Sequence, residues 1–329
     1  MKKRHHFVPQ FYLRNFAAHN PEEEIWTYDM ERGTARGSTI ENTAYEKYLY
    51  SVTSDDGVRQ DDLENVIAAI EDKAAPVFEK VILAEKITGQ ERANFSSFIA
   101  IMYVRTDAFR QQYAEAMMGM HQITMHATAA HDGAFKSFSE RFQKDKGKMT
   151  EAEIEEMREA MLNLDGFTIS IDKEWTLRSL TMHDSLAPIF FDMHWSVLEA
   201  EKPRYFIASD NPVIFDVPAA YRHPIYGGGL SHKKVELTFP LSPSKCLLAT
   251  WDKSLPQFSE IPREAVKHMN RMRATYARRF LFGPYRDDGI VKLGIKYKDT
   301  KPGMKISGFG PKEYAPVEMR RRKPKPNTR

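Results

Sequence analysis

The hydrophobic periodicity of this chain changes twice along its length, and this change constrains the fold more than any other feature. Short apolar runs typical of strands fall within residues 24–52 and again after residue 192. Between them, residues 60–190 carry apolar side chains at the 3.6-residue spacing of helices. We therefore expect an α+β fold, in which a central antiparallel or mixed β-sheet is built from N- and C-terminal segments and packs against a helical middle region.

The domain organisation follows from the same pattern, in which we find no internal repeat. We expect one intertwined unit over residues 1–316, with an N-terminal β/helix part (1–55), a helical middle (60–190) and a C-terminal β part (192–285). Residues 317–329 are a basic tail, which from Met319 onwards contains no acidic residue. This tail is either a solvated, disordered end or an arm that attracts phosphate.

Strands are predicted where short apolar runs are bounded by turn residues. The strongest signal is a hairpin of residues 24–29 and 34–40 around the turn at Gly33. Further strands are expected at residues 48–52, 194–198, 204–208, 235–239 and 246–251, and near Phe280.

Helices are predicted from periodicity and from their start signals. Pro9 suits the first turn of a short helix, and Thr150 opens another with a capping-box pattern. Pro76 should kink or split an otherwise regular helix over residues 61–84. Further helices are expected at about residues 91–131, 172–190 and 262–279.

The composition excludes several classes of protein. The chain has 329 residues, of which 42% are hydrophobic and 28% charged, as in ordinary globular proteins. Its one cysteine, Cys246, rules out an internal disulfide and fits a reducing compartment. The N-terminus lacks the apolar core of a signal peptide, and no apolar run is long enough to span a bilayer. We therefore expect a cytoplasmic protein without a membrane partner; a net charge of +3 does not by itself imply nucleic acid.

Two adjacent histidines near the N-terminus are the first candidates for chemistry. Neighbouring residues of an extended chain point to opposite sides, so at most one of them faces a given site. We favour His6, which lies next to the expected helix start, because imidazole can move a proton near neutral pH and can bind a metal ion. Alternatively, His5 and His6 are ordinary hydrogen-bonding residues. The pattern His-His-x-x-Pro also resembles the first strand of HNH-type nucleases, although the helix expected from Gln10 departs from that arrangement.

Charged residues on the two long helices form the second candidate group. At about 100° per residue, Arg105 and Arg110 lie near opposite borders of the apolar face of their helix. Glu64 and Glu71 share one edge of the preceding helix. Either these carboxylates pair with Arg14, Arg105 or Arg110 across a helix interface, or the arginines clamp a phosphate.

The third candidate is the run Ser209-Asp210-Asn211-Pro212, which follows a predicted strand. Aspartate and asparagine favour turns because they bond their own backbone, so a structural turn explains this run. A strand-end loop is equally a usual place for a functional carboxylate.

Several of these motifs together resemble the DUF4238 family. The distinctive ones are HHFVPQFYLRNF from His5 and SDNPV from Ser209. The resemblance also includes Glu41-Asn42 with Tyr48-Leu49-Tyr50, Leu63-Glu64 with Ile70-Glu71, Arg105-Thr106 with Arg110, the run PLSP from Pro240, and Asn270 with Ala277. The chain departs from the family pattern at Asp107, where proline is usual, and at Leu49-Tyr50, where an aromatic pair is common.

What the resemblance implies is a biological setting, because the family has no assigned activity. Similar proteins occur among the cargo genes of phages and phage satellites, where some act in defence against other phages. The leading hypothesis is therefore an anti-phage defence effector acting on nucleic acid, a nuclease that hydrolyses phosphodiester bonds. In it His6 is the general base or a metal ligand, Asp210 is a ligand or orients the histidine, and Arg105 stabilises phosphoryl charge.

Other polar residues of the motifs are expected to bind the substrate: His5, Gln10, Arg14, Asn42, Arg110 and Asn211. The sequence leaves open whether a divalent metal ion takes part, whether RNA or DNA is bound, whether a phage-derived trigger activates the protein, and its oligomeric state. The alternative hypothesis is a non-enzymatic sensor or binding module for a phage component or a small ligand. A nucleotide-directed hydrolase would use most of the same residues.

Overall fold

The strands lie at both ends of the chain, as the periodicity predicts. The computed structural model of the protein describes residues 3–18, 24–53, 59–163, 176–221, 229–230 and 232–300. In chain order, its strands are β1 (Arg4–His6), β2 (Glu24–Asp29), β3 (Thr34–Thr39), β4 (Tyr45–Lys47), β5 (Val52–Thr53), β6 (Arg59–Gln60), β7 (His194–Ala200), β8 (Ala208–Ser209), β9 (Ile214–Asp216), β10 (Glu236–Pro240), β11 (Lys245–Thr250), β12 (Phe258–Ile261) and β13 (Phe280–Gly283).

One antiparallel sheet combines strands from both ends of the chain, in the order β3-β2-β13-β8. The predicted hairpin is confirmed, with Glu24 opposite Thr39 and Asp29 opposite Thr34. The C-terminal strand β13 pairs with β2 on its other side, where Leu281 faces Tyr28. The α+β class and the joint origin of this sheet are thus as expected from the sequence.

A second, five-stranded sheet contains only C-terminal strands, in the order β12-β7-β11-β10-β9. It is mixed, because β12 runs parallel to β7 while the other pairs are antiparallel. The predicted pairing of residues 235–239 with 246–251 appears as the β10–β11 ladder. Two short ladders complete the strands: β1 with β4, and β5 with β6.

Apart from the short α1, the helices of the described residues occupy the middle of the chain and the region after β12. They are α1 (Gln10–Arg14), α2 (Asp62–Ile82), α3 (Gly89–Val104), α4 (Asp107–Ala130), α5 (Asp132–Lys146), α6 (Glu151–Leu162), α7 (His183–Asp192), α8 (Arg263–Tyr276) and α9 (Asp288–Tyr297). Short 3-10 helices cover Ile40–Asn42, Arg178–Met182 and Ala219–Tyr221.

The prediction of a single helix over residues 91–131 was wrong, because the chain breaks between α3 and α4. Arg105 ends α3, and the Thr106 hydroxyl accepts a hydrogen bond from the Phe109 backbone N–H at 3.2 Å, as a residue that starts a helix does. The apolar periodicity continues across this break, so the sequence pattern did not indicate where α3 ends.

Other boundaries also differ from those predicted. Residues 48–50 form a turn in which Tyr48 has φ = 55°, and only Val52 of the expected strand is paired. Of the expected strand at 204–208, only Ala208 belongs to a strand. Pro76 lies inside α2 without splitting it. The helix expected from residue 172 is helical at Thr176 and Leu177 and then becomes a 3-10 helix over Arg178–Met182, and its first residues up to 175 lie outside the described part.

An aromatic cluster links the N-terminal segment to the helices and to the second sheet. The Tyr12 ring of α1 stacks on Phe239 of β10 at 5.1 Å between centroids, and the Tyr12 hydroxyl donates to the Pro240 carbonyl at 2.9 Å. Phe78 of α2 and Phe98 of α3 pack edge-on or tilted against the same Phe239. Each buried aromatic ring contributes about 1.5–3 kcal/mol to stability, so this cluster fixes α1 firmly.

Contacts along the chain divide it into two compact units. The first contains residues 1–110 and 177–302, and the second contains residues 111–176 and 303–329. In the described part of the second unit, Ala129, Phe135 and Met161 form a small apolar core. Its helix α6 starts with the capping box predicted at Thr150. Whether the chain folds as the one intertwined unit expected from its sequence stays a prediction, and the basic tail lies outside the described residues.

None of the helices in the described ranges combines the length and the apolar character that crossing a membrane requires.

Candidate functional site

The N-terminal segment, helix α2 and the end of α3 enclose a cleft of about 610 Å³ within the first unit. Its size is in the range of pockets that take a small ligand or part of a polymer. The described residues that line it are Lys3, Arg4, His6, Pro9, Gln10, Phe11, Glu41, Glu64, Ile67, Ala68, Glu71 and Arg105.

Strand β1 separates the two histidines, as the alternation of an extended chain requires. His5 is fully buried, and its Nδ1 accepts a hydrogen bond from the Tyr50 backbone N–H at 3.0 Å. His6 points the other way and lines the cleft. His6 is therefore the histidine that lines the cleft, whereas His5 holds the Tyr50 turn.

The ring of His6 is fixed by two neighbours. Its Nε2 lies 3.3 Å from the Glu41 carbonyl oxygen, which can only accept, so the proton of the neutral ring belongs on Nε2. The Gln10 side-chain amide lies 3.4 Å from Nδ1 and 3.2 Å from Nε2. Since Nε2 donates to Glu41, the lone pair available to Gln10 is that of Nδ1.

The surroundings of His6 favour the neutral imidazole. Burial lowers the pKa of His6, the carbonyl of Glu41 opposes this, and the positive charges of Arg105 and Arg4 lower it further. The ring therefore stays unprotonated to a lower pH than a free histidine does. A neutral imidazole with its lone pair at the edge of a cleft is what general-base chemistry needs.

Arg105 is held by three acceptors and is only 2% exposed. Its guanidinium donates to the Glu71 carboxylate and to the His6 carbonyl, and its Nε donates to the Tyr50 hydroxyl at 3.1 Å. Burial opposes the charge, but Tyr50 and Glu71 more than compensate, so the pKa of Arg105 is raised. The pairing of a helix α2 carboxylate with this arginine is confirmed, and the contacts make Arg105 a residue that positions the His6 strand.

Helix α2 presents two carboxylates to the cleft, seven residues apart on one face. Glu71 has Arg105 as its partner. The Oε2 atom of Glu64 is buried and has no hydrogen-bond partner among the described residues, although its side chain lines the cleft and is 16% exposed. The Nδ1 atom of His5 lies 3.9 Å from this oxygen.

Two exposed cations at the mouth of the cleft are Lys3 and Arg4. Arg4 lies over the Tyr45 ring at 4.7 Å, and its Nη1 is 3.8 Å from the exposed Glu41 carboxylate. The Arg4 Nη1 donates to the Asn42 side chain at 3.0 Å, which places this predicted binding residue beside the cleft. Arg14 is an exposed residue in the last turn of α1 and does not line the cleft.

Asp210 belongs to a different cluster. Its carboxylate accepts hydrogen bonds from the backbone N–H groups of Arg278 at 2.7 Å, Arg279 at 2.6 Å and Phe280 at 2.8 Å. Burial raises the pKa of Asp210 to about 6, the three N–H bonds oppose this rise, and the charge of Asp107 adds to it. These contacts explain Asp210 as the anchor that joins the strand-end turn to the start of β13.

The remaining predicted residues lie in this second cluster. Asn211 donates from Nδ2 to the Tyr276 carbonyl at 3.1 Å, while its Oδ1 is buried without a partner in the described structure. Arg110 contacts Asp107 at 3.5 Å, and Asp107 accepts from the Arg278 side chain at 3.2 Å. The structure thus brings His6, Gln10, Asn42 and Arg105 together, and it places Asp210, Asn211 and Arg110 elsewhere. A catalytic or binding role for any of them stays a prediction.

The sequence reasoning did not assign Lys3, Arg4 or Glu41 to the site. The basic run before the histidines was the available signal for Lys3 and Arg4, because strand alternation puts Arg4 on the same side as His6. No local signal identifies Glu41, whose carbonyl reaches His6 only through the β1–β4 pairing.

Within the described ranges, no group of three or more His, Cys, Asp or Glu side chains is placed to hold a metal ion. Participation of a divalent metal ion, which the sequence leaves open, stays untested.

Comparison with known proteins identifies the family. The search of curated proteins found no match, and the search of solved structures found none either. A family model described as "Protein of unknown function (DUF4238)" matches residues 4–287, which include both the cleft and the Asp210 cluster. The chain therefore belongs to the DUF4238 family.

Proposed function

We propose that this protein is a nuclease, a hydrolase that cleaves phosphodiester bonds of nucleic acid in the His6 cleft. The observation that carries the proposal is the combination of a neutral, half-buried imidazole with exposed cations at the mouth of the same cleft. Cations gather the phosphate backbone, and an imidazole takes the proton from the attacking hydroxyl or water.

The chemistry assigned to each residue follows from its contacts. Lys3 and Arg4 bind the phosphate chain. Gln10 leaves Nδ1 of His6 when a substrate hydroxyl or a water replaces its amide, and Nδ1 then accepts the proton. The Glu41 carbonyl keeps Nε2–H in place and stabilises the imidazolium that forms. Arg105 acts indirectly, by holding the backbone of His6.

The test is cleavage of fluorescently labelled single-stranded RNA and DNA by the purified protein and by His6→Ala. We expect the variant to lose about 10²- to 10⁴-fold in rate, the usual contribution of a general base. Because burial lowers the pKa of His6, the wild-type rate should rise with pH with its midpoint below the value of 6.5 typical of free histidine. The matched control is His183→Ala, which removes a part-buried histidine outside the cleft and should cleave normally.

Two results would contradict the proposal: no cleavage of either nucleic acid by the wild-type protein, or unchanged cleavage by a His6→Ala protein whose circular dichroism shows the native fold. The anti-phage role is part of the proposal, since the family resemblance implies it. Plaque counts on cells that express the wild type or His6→Ala test it directly.

A binding module is the second candidate, and one observation favours it. Arg105 and Asp210, two of the three residues proposed for catalysis, are engaged in contacts that hold the backbone. In that case the cleft recognises a phage component or a small ligand without transforming it. Survival of the cellular effect in His6→Ala would support this reading over the nuclease.

A further inference from the structure

The two-stranded ladder of β1 and β4 continues outwards from the cleft. Its strands are antiparallel, with His6 opposite Tyr45 and Arg4 opposite Lys47. Residues directly opposite each other in such a ladder point to the same side, and so do residues two positions apart along one strand. The face of the ladder that carries His6 therefore also carries Arg4, Tyr45 and Lys47, and we call these four residues the ribbon face.

Two exposed cations lie side by side on the ribbon face. Arg4 and Lys47 are opposite residues, whose Cβ atoms in an antiparallel ladder are roughly 5 Å apart. The Glu41 carboxylate lies 3.8 Å from Arg4, but it is 77% exposed, and an ion pair in water is weak. No carboxylate of the described residues forms an ion pair with Lys47. The ribbon face can therefore attract an anion beside the cleft.

Arg4 is held in place before any ligand binds. Its guanidinium lies 4.7 Å from the centroid of the Tyr45 ring, and its Nη1 donates to the Asn42 side chain at 3.0 Å. The Tyr45 ring also contacts the His6 ring, at 5.9 Å between centroids. Tyr45 thus positions the guanidinium relative to the imidazole, which reduces the entropy that binding costs.

The imidazole and the two cations follow one another along the ribbon. His6 and Tyr45 are two residues away from Arg4 and Lys47, which is about 7 Å at the rise of a β-strand. This separation is comparable with that between successive phosphates of an extended single strand. A strand with one phosphate at His6 therefore has the next one within reach of both cations. A duplex is too wide to follow its phosphate to a half-buried imidazole in a cleft of about 610 Å³.

We propose that the ribbon face continues the cleft as a binding track for single-stranded nucleic acid, in which Lys47 and Arg4 bind the phosphate next to the one at His6. This inference rests on the proposed action on nucleic acid. It adds to that action a single-stranded substrate and a binding residue, Lys47, that lies outside the lining of the cleft.

The experiment is fluorescence anisotropy of a labelled single-stranded hexanucleotide, as RNA and as DNA, with the full chain carrying His6→Ala so that the oligonucleotide stays intact. Adding Lys47→Gln should weaken binding by about 2- to 5-fold, the range of an exposed ion pair. Between about 50 and 200 mM salt, the slope of log affinity against log salt should become shallower by about 0.7, the value of one phosphate contact to a single strand. Lys47→Arg keeps the charge and should keep both the affinity and the slope.

The matched control is Lys253→Gln, which removes the same charge from an exposed position between β11 and β12 and should change neither quantity. Equal effects of Lys47→Gln and Lys253→Gln, or no effect of Lys47→Gln, would overturn the track and leave the proposed nuclease intact. Binding of a duplex of the same sequence as tightly as the single strand would do the same. Absence of binding, together with absence of cleavage by the wild type, would overturn the proposed function itself.

Discussion

Asp210 offers the sharpest test of the structure, because its side chain joins two distant segments through backbone contacts alone. Its Oδ2 accepts from Arg279 and Phe280, and its Oδ1 accepts from Arg278. In Asp210→Asn one oxygen becomes an NH₂ group, so at least one backbone N–H loses its acceptor and faces another donor. An unsatisfied buried donor costs about 1–3 kcal/mol.

The pH dependence of this loss has a sign that the structure fixes. Burial raises the pKa of Asp210 to about 6 from the ordinary value of 3.8. The folded protein then binds the proton more tightly than the unfolded chain, so the stability from this group is fully present below pH 3.8 and is lost as the pH rises through 6. A difference of this size corresponds to about 3 kcal/mol. Because asparagine does not titrate, the deficit in stability of Asp210→Asn relative to the wild type should be larger at pH 4 than at pH 7.

Urea unfolding followed by circular dichroism, at several values between pH 4 and pH 8, measures both proteins. The matched control is Asp252→Asn, in which an exposed carboxylate that bonds Ser254 is removed. Hydrogen bonds from Ser254 lower the pKa of Asp252 below its ordinary value of 3.8, so the effect of the control on stability should stay constant between pH 4 and pH 8. A stability difference that grows with pH for Asp210→Asn would refute the reasoning, because the three N–H bonds would then outweigh burial.

Two further predictions concern the elements around the cleft. Arg105→Met leaves the Glu71 carboxylate and two more acceptors without their donor. Because Glu71 is 22% exposed, we expect the free energy of unfolding in urea to fall by about 3 kcal/mol, the lower end for a broken buried ion pair. A loss below about 1 kcal/mol would contradict the contacts described. Thr88→Ala removes the capping box that Thr88 forms with Glu91 at the start of α3. Thermal unfolding should show a loss of about 1 kcal/mol in the free energy of unfolding. An unchanged midpoint temperature would mean that the cap does not stabilise the helix.

Local patterns in the sequence predicted the parts of the fold whose partners are close along the chain. The hairpin of β2 and β3 is an example, since its turn at Gly33 has the positive φ of 65° that glycine adopts freely. The separation of His5 from His6 followed from strand alternation in the same way. Helix geometry offered a pairing of Glu64 or Glu71 with one of three arginines as one of two outcomes, and the structure pairs Glu71 with Arg105.

Contacts between distant segments decided the features that the sequence did not reveal. The chain leaves the helical path after Arg105, whose guanidinium donates to the His6 carbonyl 99 positions earlier. Asp210 appeared equally suited to chemistry or to a turn, and its actual partners lie 68–70 positions later. Neither distance is encoded in a local pattern, so only the assembled structure distinguishes the two clusters of polar residues.

The position of β2 between β3 and β13 has a consequence for how the protein is made. One neighbour of β2 follows within a few residues, but its other side is paired with β13, and Arg279 just before β13 bonds Asp29 from 250 positions away. In a chain still on the ribosome, this side of β2 therefore stays unpaired until β13 has been made. We expect chains truncated before β13 to expose the open edge of β2 and to aggregate more readily than the full chain.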